Sequence, residues 1–159
     1  MRSTLDIQVL KEAVRLACRA PSVHNSQPWR WVAEGERLRL FIDPYRMVPG
    51  TDDSRREAII SCGAVLDHLR VAMLAAGWHA RIERLPNRND PDNLASIEFT
   101  SVEHVTDAER VRADTILQRR TDRLPMDRPT YWNFFEPVLR TSLEGSGATL
   151  DVLSDEVRP

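Results

Sequence analysis

The sequence predicts an α+β layered domain. Three observations carry this: an N-terminal segment with apolar residues every three or four positions, strand candidates on both sides of a longer apolar-periodic segment, those before it alternating apolar and polar, and turn-forming residues at the joints. Over residues 5–20, Val9, Leu10, Ala13, Val14, Ala17 and Cys18 recur at helical spacing, with Lys11, Glu12, Arg15 and Arg19 between them. Ser3 or Thr4 is placed to cap this helix. Pro21 drives its predecessor out of helical geometry, so the helix is expected to end near Ala20.

Beyond Pro28 the period changes to two. Trp29, Trp31 and Ala33 alternate with polar neighbours, Glu34-Gly35-Glu36 turns, and Leu38, Leu40 and Ile42 alternate again, which predicts a β-hairpin with the tryptophans packed on its sheet. Asp43-Pro44 and Pro49-Gly50 punctuate the chain. After Asp52 to Ser54, Ala58, Ile59, Cys62, Val65, Leu66, Leu69, Ala72, Met73 and Ala76 mark a central buried helix, closed by Gly77. Residues 78–85 and 94–102 are strand candidates able to pair across the turn-rich 86–91. Thr106 is placed to cap a helix to about Leu117, a further helix covers Trp132 to Leu143, and 148–153 reads as a short strand. Ser154-Asp155-Glu156 resembles a fresh helix start three residues before Pro159, which predicts a fragment or a half-length version of a longer protein.

Composition bounds the function. A chain of 159 residues with 42% hydrophobic and 29% charged residues suits a soluble domain with a sizeable core, and a net charge of −2 provides no general field for nucleic acid. No run reaches the roughly 18 uninterrupted apolar residues of a membrane span. Cys18 and Cys62 sit in apolar helical contexts without CxxC or zinc spacing, which predicts buried thiols and a reducing cytoplasm. His68 and His79 lack partners at metal-ligand spacing, so no metal is expected. Ser22 and His24 are too close in sequence to suggest a hydrolase pair, and no Gly-x-Ser-x-Gly elbow, glycine-rich dinucleotide turn or P-loop occurs.

Two clusters remain. In "LQRRTDR", Arg119, Arg120 and Arg123 surround Thr121 just after a helix; forked guanidinium donors plus a hydroxyl suit a phosphate dianion, and a solvated turn salt-bridged to Asp114 and Asp122 is the competing reading. In "APSVHNSQPW", prolines stiffen a loop in which Ser22, Asn25, Ser26 and Gln27 can present polar groups to the edge of a planar ligand.

Together the clusters resemble two motifs of the FMN-dependent nitroreductases: an Ala-Pro-Ser-x-x-Asn-x-Gln-Pro-Trp loop and an Arg-Arg-Ser-x-Arg phosphate motif. The chain is most similar to the N-terminal portion of the long, internally duplicated Acg-type nitroreductase-like proteins of mycobacteria. The resemblance implies a partial nitroreductase-like α+β fold, with a first repeat over 1–117 and the start of a second, packed on it, over 118–159. It implies one FMN per chain, its phosphate on Arg119, Arg120, Thr121 and Arg123 and its ring along Pro21, Ser22, Asn25 and Gln27. The implied reaction passes electrons from NAD(P)H to a small oxidised acceptor such as a nitroaromatic or quinone, with no protein nucleophile. Ordinary family members place the arginine motif first and dimerise; here the order is reversed, and "EGSGATLDVL" stands where the second repeat's polar loop belongs. A homodimer is one way to restore what a missing repeat supplies. A non-catalytic FMN-binding or FMN-sequestering protein, and a degenerate interaction module, are the alternatives.

Overall fold

A computed structural model describes residues 4–125, 127, 129–145 and 147–152. The chain divides into two compact units, with the boundary between Thr121 and Asp122. In the first unit, α1 (Ile7–Ala17) and α2 (Arg56–Ala75) lie against a four-stranded antiparallel sheet of β1 (Trp29–Glu34), β2 (Arg37–Ile42), β3 (Trp78–Arg84) and β4 (Asn93–Ser101), in the order β1-β2-β4-β3. The helix α3 (Asp107–Gln118) packs on α2.

The helix starts follow from local hydrogen bonding. α1 begins later than expected, because Asp6 and not Thr4 supplies the cap: its Oδ1 accepts from the Gln8 N–H at 2.7 Å, and Ser3, the other expected cap, lies outside the described residues. It also ends sooner, at Ala17, and the residues up to Ala20 form turns closed by Arg19 N–H to Leu16 O and Ala20 N–H to Ala17 O. α3 carries a full capping box in which Glu109 N–H donates to Thr106 Oγ1 at 3.3 Å and Thr106 N–H to Glu109 Oε2 at 2.7 Å. The Thr106 N–H foremost, and then the Thr106 hydroxyl, which donates to Glu109 Oε2 at 2.9 Å, hold the Glu109 carboxyl below its usual pKa.

α2 is the organising element. Its start is fixed by Asp52, whose Oδ2 accepts from the Ala58 N–H at 2.7 Å, and its end by Gly77, which takes φ +88° as its N–H returns to the Leu74 carbonyl. Burial pushes the Asp52 carboxyl up, yet the backbone N–H groups of Ala58, Glu57 and Arg56 and the Ser54 hydroxyl leave it below the ordinary value. Val65, Leu69 and Met73 have no solvent exposure and meet Leu40, Ile42, Ala95 and Ile97 of the sheet, with Trp29 also buried there and Trp31 packed at the margin. α2 is long and apolar enough to cross a membrane by length and composition; half of that window is buried inside the structure, where it forms the core. The outward sheet face is charged, with Glu34, Arg37, Glu98 and Arg81 in one cross-strand row and an Arg37–Glu98 pair at 2.7 Å.

In the second unit, α4 (Trp132–Leu143) covers the predicted span. Tyr131, Phe134, Phe135 and Val138 are exposed and line an apolar groove of about 430 Å³. The strand expected over 148–153 does not form in its described part, 148–152: a strand needs a neighbour to complete its ladder, and no strand occurs in this unit among the described residues. Leu153 and the helix start expected at Ser154-Asp155-Glu156 lie outside the described residues.

Truncating Leu69 to Ala should lower the urea-unfolding free energy by about 2–5 kcal/mol, from lost burial plus the cavity left behind. Asp52 titrates lower in the native chain than unfolded, so its stabilisation is complete above the ordinary aspartate pKa of about 3.9 and is lost as pH falls through the native value. Unfolding free energies across acid pH should therefore fall less steeply in Asp52→Asn than in the parent protein.

Candidate functional site

The loop leaving α1 is stiffened by more than its prolines. Ser22 Oγ accepts from the Gln27 N–H at 3.0 Å, and Asn25 and Ser26 N–H groups bond back to the Ser22 and Val23 carbonyls. His24, Asn25 and Gln27 sit at φ +49°, +56° and +51°, a left-handed region in which side-chain-bearing residues cost roughly 1–2 kcal/mol each. Such a conformation persists only where its surroundings impose it. Here α2 imposes it: Ser61 Oγ accepts from the Val23 N–H at 3.2 Å while donating to the Glu57 carbonyl at 2.8 Å. The buried Pro28 carbonyl accepts from Cys62 Sγ at 3.3 Å and from the Asp43 N–H at 3.0 Å.

The arginine motif begins at the C-cap of α3. The Arg119 guanidinium donates through Nη2 to the Arg19 carbonyl at 2.8 Å and through Nη1 to Thr121 Oγ1 at 3.2 Å. Two motifs a hundred residues apart thus meet two residues before Pro21. Arg120 turns back on its own helix, with Nη1 on the Leu117 and Arg119 carbonyls at 2.9 and 2.8 Å. Neither Asp114 nor Asp122 pairs with these arginines among the described residues; Asp122 accepts from the Leu124 N–H instead. Arg123 belongs to the second unit.

Several buried polar atoms near these elements have no partner among the described residues: Ser26 Oγ, Trp31 Nε1, Arg119 Nε and His68 Nδ1. His68, on α2, is held below the usual imidazole pKa by burial and, secondarily, by the Arg119 charge, against opposing pulls from Asp67 and the Ala17 carbonyl. Burial pushes the Cys62 thiol up to about 12. A cleft of about 710 Å³ opens elsewhere, between the α1 end at Leu5 and Ile7 and the sheet at Trp78, Arg81 and Phe99, and none of the eight sequence-predicted residues lines it. Sequence reasoning missed Arg19 and Ser61 as partners. Arg19 contributes only a carbonyl, which no side-chain pattern encodes, and Ser61 was visible only as a polar residue on an apolar helical stripe.

No protein-family model matches the chain. The chain is 60% identical over 154 residues to Mycobacterium tuberculosis protein Rv3127, covering 94% of this chain and 45% of that one. It is 56% identical over 151 residues to the acg protein of the same organism, provisionally named an NAD(P)H nitroreductase, covering 95% of this chain and 46% of that one. The chain belongs to the Acg-type nitroreductase-like family. It spans about half the length of these curated relatives. A Desulfovibrio desulfuricans protein provisionally described as a nitroreductase and solved in complex with FMN superposes with a TM-score of 0.53, covering 82% of this Acg-type chain and 89% of its own. At 13% identity the likeness is one of fold, and the fold is that of the nitroreductases.

Two outcomes follow for the Acg-type loop. Replacing Ser61 by Ala leaves the Val23 N–H without its acceptor, at a cost of about 1–3 kcal/mol, so the Val23 amide should exchange with deuterium faster than in the parent protein. Cys62, protonated throughout neutral pH, should resist a thiol-specific disulfide reagent at pH 8 until denaturant is added.

Proposed function

We propose that this chain binds FMN as part of a nitroreductase-type oxidoreductase. In this reading Arg119, Arg120 and Thr121 seat the phosphate, and the bend of Pro21, Ser22, Asn25 and Gln27 borders the isoalloxazine ring. The observation that carries the proposal is the 2.8 Å bond from Arg119 to the Arg19 carbonyl, which brings the guanidinium to the foot of the polar loop. The donor set fits the group. Arg119 keeps N–H groups beyond the two it uses, one of them the orphaned Nε, and an anion accepts best from such charged, forked donors. Ser22 Oγ accepts from within its own loop, which leaves the hydroxyl proton to donate outward.

When bound, FMN supplies the hydride chemistry between NAD(P)H and an oxidised acceptor such as a nitroaromatic or quinone. The loop's contribution is electrostatic: amide and hydroxyl donors from Ser22, Asn25 and Gln27 near the ring's pyrimidine edge would favour the negative charge that reduction places there. No side chain here has to act as nucleophile or general base.

One observation favours a second reading, in which the motif is structural. Arg119 and Arg120 both donate to carbonyls at the C-terminal ends of α1 and α3, where a cation stabilises a helix without any ligand. The two readings separate in one experiment. If the phosphate seat is real, Arg119→Ala should weaken FMN binding, followed by flavin fluorescence, by about one to two decades and leave riboflavin, which lacks the phosphate, unchanged. A lower melting temperature with equal loss for both flavins would assign the motif to structure alone. Oxidation of NAD(P)H in the presence of a quinone then distinguishes turnover from flavin storage.

A further inference from the structure

The two arginines of the proposed phosphate seat are already engaged by carbonyls. Arg119 gives Nη2 to the Arg19 carbonyl at 2.8 Å, and Arg120 gives Nη1 to the Leu117 and Arg119 carbonyls at 2.9 and 2.8 Å, so helix ends offset part of both charges. Arg19 is the opposite case. Its main chain is held on both sides, the N–H by the Leu16 carbonyl at 3.1 Å and the C=O by the Arg119 guanidinium, whereas its side chain has no hydrogen bond or ion pair among the described residues, and the residue is exposed. The carbonyl bond also fixes where that free charge is rooted. A carbonyl oxygen lies about 2.4 Å from its own Cα, so the Arg19 Cα stands within about 5 Å of Arg119 Nη2. The five bonds from Cα to the guanidinium carbon extend roughly 6 Å, which puts an anion on the open side of Arg119 inside the range of Arg19. Without an anion the two cations repel; a phosphate dianion between them turns that repulsion into two charge-assisted contacts.

We infer that Arg19, which stands outside both sequence motifs, is a further binding residue for the FMN phosphate: its guanidinium reaches the anion from the end of α1 while Arg119 holds it from the end of α3. This rests on the phosphate reading proposed above. The two parts of one residue then have different tasks. The carbonyl orients Arg119, and the side chain supplies charge that the helix-end carbonyls offset on Arg119 and Arg120. Arg19 also lies two residues before Pro21, so the chain that binds the phosphate would run directly into the bend that borders the ring.

Replacing the side chain separates the two tasks, because any residue at this position keeps a carbonyl for Arg119. The readout is the ratio of FMN to riboflavin affinity, followed by flavin fluorescence at low ionic strength. Arg19→Gln should lower that ratio roughly three- to tenfold by weakening FMN alone, an effect between that of an exposed ion pair and that of a hydrogen bond to a charged group. Arg19→Lys should restore most of it, and the gap between the parent and Arg19→Gln should narrow as salt is raised, since the charge is exposed. A ratio in Arg19→Gln equal to the parent's, with Arg119→Ala still lowering it, would overturn the Arg19 assignment and leave the phosphate seat standing. Equal weakening of both flavins together with a lower melting temperature would overturn it as well, because a cation at a helix end acts on the fold and not on the phosphate. A parent protein with no preference for FMN would refute the phosphate seat, and the Arg19 assignment with it.

Discussion

The burial of α2 sets where the candidate groups stand, because a helix whose Val65, Leu69 and Met73 have no contact with water can neither slide nor rotate without exposing them. Its 20 residues span roughly 30 Å, and polar side chains along that length each hold something different. Ser61 and Cys62, in the second turn, hold the Val23 amide and the Pro28 carbonyl, so the loop between them is clamped at both ends. About three turns later Val71 packs with Ala113 and Ile116 of α3, the helix whose C-cap is Arg119. One hydrophobic contact surface therefore positions a polar bend and a guanidinium that the sequence separates by a hundred residues.

The strain in the bend has the same origin. Left-handed backbone at His24, Asn25 and Gln27 is unfavourable in an isolated peptide, and the Ser22, Ser61 and Cys62 bonds supply the compensation. A loop held this way presents its side chains without ordering them first, which lowers the entropic cost of binding a flat, rigid ligand. That links the core to the proposed chemistry: a looser α2 would cost preorganisation before it cost the fold.

Much of this architecture was legible as residue pattern. Alternation marked the first hairpin, the helical period marked the first two helices, and Thr106 marked the start of the third, since each depends on side chains close together in sequence. The clusters around Ser22 and Arg119 were legible by composition and by resemblance. What stayed hidden depends on distant backbone. The β1-β2-β4-β3 order is set by how hairpins dock, and the Arg119 partner is a main-chain carbonyl. The expected 148–153 strand shows the converse: a pattern can be suited to a ladder, yet its described residues form none without a neighbour.

The electrostatics of the arginine motif limit what it can do. Each helix C-terminus carries roughly half a negative charge, and two of them, α1 and α3, end beside Arg119 and Arg120. Part of the arginines' positive charge is therefore offset before any anion arrives, and three arginines in a sequence do not amount to three charges at a phosphate. The offset also has a benefit, since the same carbonyls fix the guanidinium plane, and a fixed fork loses less entropy when it takes a second set of bonds. In the proposed reading, latch and anion seat are one arrangement of a five-donor group, and the strength of the seat would depend on how completely the remaining donors are aimed rather than on the number of cations nearby.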